Sequence, residues 1–134
     1  MVAARKWMLA AIALGATVAL VNLAHAQDSP LRHEIKRADL SGTNMEVIES
    51  IVEVPPGQAS ALHIHHGEEA FYVIEGGKIE LPSGKQVDMV TASGSINKRD
   101  VPHGAFKNAG DKPIKILTVH IVDKGAPLYD APPK

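Results

Sequence analysis

Six histidines follow residue 26, at positions 33, 63, 65, 66, 103 and 120, and three of them fall within four positions. Imidazole nitrogens and carboxylate oxygens are the donors that hold divalent transition metals, so His63, His65 and Glu69 are the first candidates for chemistry. On an extended strand, side chains two apart share a face and lie about 6–7 Å apart, from a rise of roughly 3.3 Å per residue. His63 and His65 can therefore converge on one point, with Ile64 turned to the opposite packing surface. His66 has the other parity or belongs to the turn with Gly67, and it reads, like His33, as an ordinary surface residue. Beyond that turn Glu69 opens an apolar run with Phe71 and Val73 on its own side and Ala70, Tyr72 and Ile74 on the other. A hairpin brings Glu69 back beside the two imidazoles, which makes a three-point cap with positions left open for water or substrate.

The elements that must place these groups are short. From Met45 onward, apolar or alternating runs are punctuated by Gly and Pro, the pattern of an all-β chain. Strands are expected at 46–54, 61–65, 70–74, 78–81, 85–90, 95–98, 105–108 and 114–122, with turns every eight to twelve residues, as in a sandwich or barrel. Residues 27–44 read as an amino-terminal arm with one edge strand, residues 45–122 as the barrel, and residues 123–134 as a Pro- and Gly-containing tail lying over the surface or frayed.

Gly57, His63, His65, Glu69 and Gly76 follow the spacing G-x5-H-x-H-x3-E-x6-G over 20 positions, which resembles the first motif of the cupins. The resemblance covers roughly 45–122. It implies a single conserved-barrel jelly roll of two antiparallel sheets, with His63, His65 and Glu69 as metal ligands. Gly94, Pro102, His103 and Asn108 resemble the second cupin motif in part, and make His103 the fourth ligand. The P-x-G element of that motif is absent, and four residues rather than three separate His103 from Asn108. The alternative is a barrel that keeps the shape without a metal. Against it, two imidazoles and a carboxylate in a dry interior need a cation or a proton to satisfy them.

His120 lies on an alternating segment with Ile114, Ile116, Thr118 and Val122 on its face, which is expected to be the interior. The opposite face, Lys115, Leu117, Val119 and Ile121, is also mostly apolar, so parity leaves the choice open. A satisfied or partly exposed structural histidine is the preferred reading over a group in the pocket.

A divalent ion, Fe, Mn, Ni, Cu, Co or Zn, keeps a net positive charge in a ligand set with one carboxylate, and so can polarise an oxygen donor. Two functions of different class follow. One is a mononuclear metal enzyme acting on a small oxygen-bearing substrate, dioxygenase-like by family resemblance, with Glu69 as a catalytic base if it leaves the ion. The other is a non-catalytic exported module that binds a metal or small ligand.

The full chain has 134 residues, 14 basic against 15 acidic, and no cysteine. That balance offers no polyphosphate footprint, so nucleic acid is not an expected partner. Arg5 and Lys6, the uncharged stretch 7–21 and Ala24-His25-Ala26 have the form of a signal peptide over residues 1–26, cleaved before Gln27. The expected product is a periplasmic or secreted protein, free of the membrane and held together without disulfides. A homodimer is expected, through the outer sheet face or by strand exchange of the arm or tail.

Overall fold

The computed structural model describes residues 28–134. The segment read as a signal peptide, residues 1–26, lies outside the described residues. Nine strands build two antiparallel sheets, and no helix occurs among the described residues. The strands are β1 (Arg32–Asp39), β2 (Met45–Val54), β3 (Ala59–Ser60), β4 (Gly67–Glu75), β5 (Gly77–Glu80), β6 (Gln86–Met89), β7 (Gly94–Asn97), β8 (Phe106–Asn108) and β9 (Ile114–Asp123). One sheet has the order β1-β2-β9-β4-β7 and the other β3-β8-β5-β6.

Alternation sets which side chains enter the space between the sheets. On β2, Glu46, Ile48, Ser50 and Val54 are buried, and on β9 Ile114, Ile116, Thr118, His120 and Val122. The interior is graded along these strands. At one end Val54, Ile79, Ile114 and Ile116 form the apolar core, with Phe71, Val87, Met89 and Phe106 packed against it. Towards the other end the buried residues turn polar, through Ser50 and Thr118 to His120, Glu69, His65 and His63. The apolar end holds the barrel shut, and the polar end is where buried groups require partners.

Two segments depart from the sequence expectation. The strand expected at 61–65 is an extended passage flanked by loops rather than strands: His63 makes a single bridge to His103, and Ile64 one to Asp130. Its regular pairing ends at Ala59–Ser60, against β8. The tail does lie over the surface, but it is pinned there rather than frayed. Asp130 exchanges both backbone hydrogen bonds with Ile64, at 3.0 and 3.2 Å, and this draws Leu128 and Tyr129 across the mouth of the barrel. The arm is a full sheet edge, since β1 pairs with β2 of the same chain along its length.

Candidate metal centre

Each candidate ligand comes from a different local device. His63 and His65 share one side of the extended 61–65 passage, and Glu69 faces them from β4, where its neighbours Glu68 and Ala70 are exposed. His103 arrives on a loop pinned by reciprocal backbone hydrogen bonds to His63, both 3.0 Å. Gly104 and Ala105 behind it both have positive φ, +84° and 54°. A Cβ on Gly104 would stand 2.5 Å from the Ala61 carbonyl oxygen and 3.0 Å from His63 Nδ1, so glycine is required there. This reversal of the chain is the physical form of the irregular second motif.

The structure brings the four sequence-derived residues together. One donor atom from each of His63, His65, Glu69 and His103 lies within 4.8 Å of all the others. Within the cluster, His63 Nε2 is 3.2 Å from His65 Nε2, and Glu69 Oε2 is 3.4 Å from His65 Nε2 and 3.2 Å from His103 Nε2. Ligands about 2.1 Å from a common ion stand roughly 3–4.2 Å apart, so these spacings fit a shared divalent metal.

The tautomers sharpen that fit. His63 Nδ1 donates to the Ala61 carbonyl at 2.8 Å, His103 Nδ1 to the Val101 carbonyl at 2.8 Å, and His65 Nδ1 to the Leu128 carbonyl. A carbonyl only accepts, so all three hydrogens sit on Nδ1 and all three Nε2 atoms present lone pairs to the cluster. Two lone pairs facing each other at 3.2 Å between His63 and His65 repel unless a cation lies between them. His103 Nε2 is itself buried and without a hydrogen-bond partner among the described residues. The donor set therefore suits a transition metal, with each ring held by a backbone carbonyl on its far nitrogen.

Electrostatics agree for His63 and Glu69. Burial pushes His63 down to about 4, with the neighbouring His65 and His103 acting in the same direction, so it stays neutral. Burial alone would raise Glu69. His103, His65, His120 and the Asn97 amide, which donates to Oε2 at 2.8 Å, outweigh it and hold the carboxyl well below the usual range. Burial lowers His103, but the Glu69 carboxylate and the Val101 carbonyl more than compensate and leave it above its ordinary value.

A cavity of about 200 Å³ adjoins the cluster, lined by His63, Glu69 and His103 and walled by Val52, Phe71, Met89, Phe106 and Ile116. A larger external groove of about 680 Å³ runs between residues 28–31, 58–63 and 129–131. Tyr129 lines both, with Ser60 and His63, and so stands between the inner cavity and the outside. Its ring centroid is 4.5 Å from that of His63 and 5.0 Å from that of His65, and burial pushes its phenol upward.

Two residues differ from expectation. His120 is 0 % exposed and neither of its ring nitrogens has a hydrogen-bond partner among the described residues, so it is neither satisfied nor partly exposed. Burial drives it down to about 4. His66 is not a free surface residue: Nδ1 lies 2.9 Å from Asp100 and Nε2 3.2 Å from Asp130, where it ties the tail to the His103 loop. Asn108, the last residue of the partial motif, is structural. Its amide donates to the carbonyls of Val54 and Lys112, and its oxygen accepts from Gly110. His33, in contrast, is exposed on the edge strand as expected. Tyr129 was not singled out in the sequence; a lone aromatic in a Pro-containing tail gives little signal.

The family model for the cupin domain matches residues 50–120, more than half of the chain. The chain belongs to the cupin family. Among solved structures this cupin is similar to a conserved protein with a double-stranded β-helix domain from Klebsiella pneumoniae. That match has 19% identity and a TM-score of 0.55, and covers 80% of this chain and 92% of that one. It is also similar to the polyketide cyclase RemF from Streptomyces resistomycificus, at 23% identity and a TM-score of 0.50, covering 67% of this chain and 63% of that one. At these identities the likeness establishes the fold alone. No curated protein matches the cupin in sequence.

Proposed function

We propose that this cupin binds one divalent transition-metal ion through His63, His65, Glu69 and His103, and acts on a small oxygen-bearing molecule in the adjoining cavity, as a dioxygenase-like enzyme. The observation that carries the reading is the set of three imidazoles whose Nδ1 hydrogens are all committed to backbone carbonyls, so that three Nε2 lone pairs meet one carboxylate. When bound, the ion supplies a Lewis-acidic centre that polarises an oxygen donor of the substrate.

The protein's own residues do the rest. The apolar walls exclude water and favour a compact substrate, since about 200 Å³ lies below the roughly 300–1,000 Å³ of drug-sized pockets. Ser60, Asn97 and Thr118 are the polar groups on the walls that can orient it. Glu69, held ionised, serves first as a ligand, and serves as a base only on releasing the ion. The features of residues 1–26 support export to the periplasm or beyond. The apolar outer face of the five-stranded sheet supports a homodimer.

The deciding experiment is elemental analysis of protein purified from its native compartment, followed by oxygen uptake with phenolic and keto-acid compounds. One metal per chain with oxygen consumption supports the enzyme. One metal without turnover replaces it with the exported binding module, and no metal removes the enzyme and leaves only a module that binds a small ligand.

A further inference from the structure

A fourth imidazole reaches the site from the neighbouring strand β9. His120 pairs directly with Glu69 across β4 and β9, so both side chains enter the same part of the interior. It is completely buried, its ring edge-on to His65 with centroids 4.5 Å apart. Neither ring nitrogen has a hydrogen-bond partner among the described residues. Buried polar groups left unpaired are rare and costly, and their exceptions cluster where an ion or reacting group belongs. Across β2 the neighbour of His120 is Ile48, 1 % exposed, so an apolar side chain suits this layer of the barrel.

The two oxygens of Glu69 face different ways. Oε2 faces His65 and His103 at 3.4 and 3.2 Å and accepts from Asn97 at 2.8 Å. Oε1 faces His120 Nε2 at 3.6 Å. A closure of about half an ångström turns that approach into a hydrogen bond.

We infer that His120 is a positioning residue of the metal centre: its Nε2–H donates to Glu69 Oε1, so that the carboxylate meets the ion through Oε2 alone. The inference rests on the four-ligand reading above. Asn97 and His120 then grip the carboxylate from its two sides, as outer partners orient metal ligands generally. One oxygen is committed to the ion and the other is kept from it, which leaves a coordination position free for substrate.

The test uses Co²⁺ as the probe, with affinity measured by chelator competition and ligand-field geometry by the visible absorption of the bound ion. His120→Phe fills the space without a donor, and His120→Gln restores an N–H. The expected result for His120→Phe is stoichiometric Co²⁺ binding weakened roughly 10- to 100-fold, with a shifted spectrum and an unchanged or raised melting temperature for the metal-free protein. His120→Gln should recover part of the affinity and the native spectrum. Unchanged affinity and spectrum in His120→Phe overturn the positioning role while leaving the four-ligand reading intact. Loss of Co²⁺ stoichiometry equal to that of His63→Ala overturns it in favour of a direct ligand. A native protein that takes up no Co²⁺ overturns both readings.

Discussion

His65 Nδ1 donates its hydrogen to the main-chain carbonyl of Leu128, 63 residues away in sequence. The barrel thus takes an outer partner for one of the proposed ligands from the carboxy-terminal tail. His63 and His103 find theirs only two residues back along their own loops, in Ala61 and Val101. The tail is held there by the Ile64–Asp130 bridge and by His66, so the orientation of His65 is tied to the docking of the tail.

Removing residues 126–134 should therefore weaken metal binding although none of the proposed ligands is deleted. His65 loses its carbonyl and is free to rotate or change tautomer, an effect worth roughly 10–100-fold in affinity. Tyr129→Ala, which keeps the carbonyl and removes only the ring, should cost less affinity but open the cavity to the outer groove. Chelator competition on the two variants separates these roles. Equal affinity in the truncated and full-length proteins would show that the tail does not position His65.

Ligand substitutions should grade by position. His63→Ala removes a donor from the inner passage and should abolish stoichiometric metal. His103→Ala removes the more exposed loop donor and should leave partial occupancy with a faster loss to chelator. Inductively coupled plasma analysis after dialysis reads both. Full occupancy in His63→Ala contradicts the ligand set.

How much of this was legible in the sequence depends on what carries each contact. Alternation alone did not place Glu69, because Ala70, Tyr72 and Ile74 make the other face of β4 apolar too; the His63, His65, Glu69 spacing did, and the three side chains do meet in one cluster. His120 was not readable, because β9 is apolar on both sides: one face fills the core and the other forms the outer surface with Leu117 and Val119. The tail was invisible for another reason. Its contribution at Leu128 is a backbone carbonyl, which every residue possesses and no composition reveals. The 61–65 segment misled because its pairing partners are loops, whose positions follow from the whole fold.

The metal-free protein should lose stability on acidification. Burial holds His63 and His120 at about 4 in the folded state against 6.5 for a free imidazole. Between these values the unfolded chain takes up protons that the folded chain refuses. Each group's contribution, up to about 3 kcal/mol, is complete above pH 6.5 and is lost as pH falls through about 4. Glu69, also depressed when folded, adds loss below the ordinary carboxylate range. His103 and His66 have the opposite sign, since their raised values favour the folded state at low pH, but their shifts are smaller than those of the two buried neutral imidazoles. Thermal melts in chelator should show the melting temperature falling steadily from pH 7 to 4; a flat or rising curve contradicts the burial of the two neutral imidazoles.

Asn108→Ala should destabilise the fold with little direct effect on the metal site. It leaves the buried Val54 carbonyl, the partly buried Lys112 carbonyl and the Gly110 N–H without their partner, at a cost of about 2–3 kcal/mol. Denaturant unfolding should show the loss, while Co²⁺ affinity at low temperature stays within a few-fold of native. A large affinity change without loss of stability would move Asn108 from scaffold to site.

The outer face of the five-stranded sheet gives the last prediction. Tyr72, Ile74, Ile96 and Ile121 stand exposed there, with Ile96 62 % exposed on edge strand β7. Tyr72 is registered against Leu117, and Ala70 lies between Ile96 and Val119, so the apolar side chains form a continuous band across three strands. Such a band exceeds scattered exposed hydrophobics and has the character of surfaces used for association. If the proposed homodimer uses this face, Ile96→Glu should convert it to monomer by burying an unpaired charge against its own copy, while leaving metal content unchanged because β7 meets the centre only through Asn97. Light scattering across a concentration series decides the matter. A native protein that is monomeric throughout removes the dimer, and a dimer indifferent to Ile96→Glu moves the interface to the β1 or β6 side of the barrel.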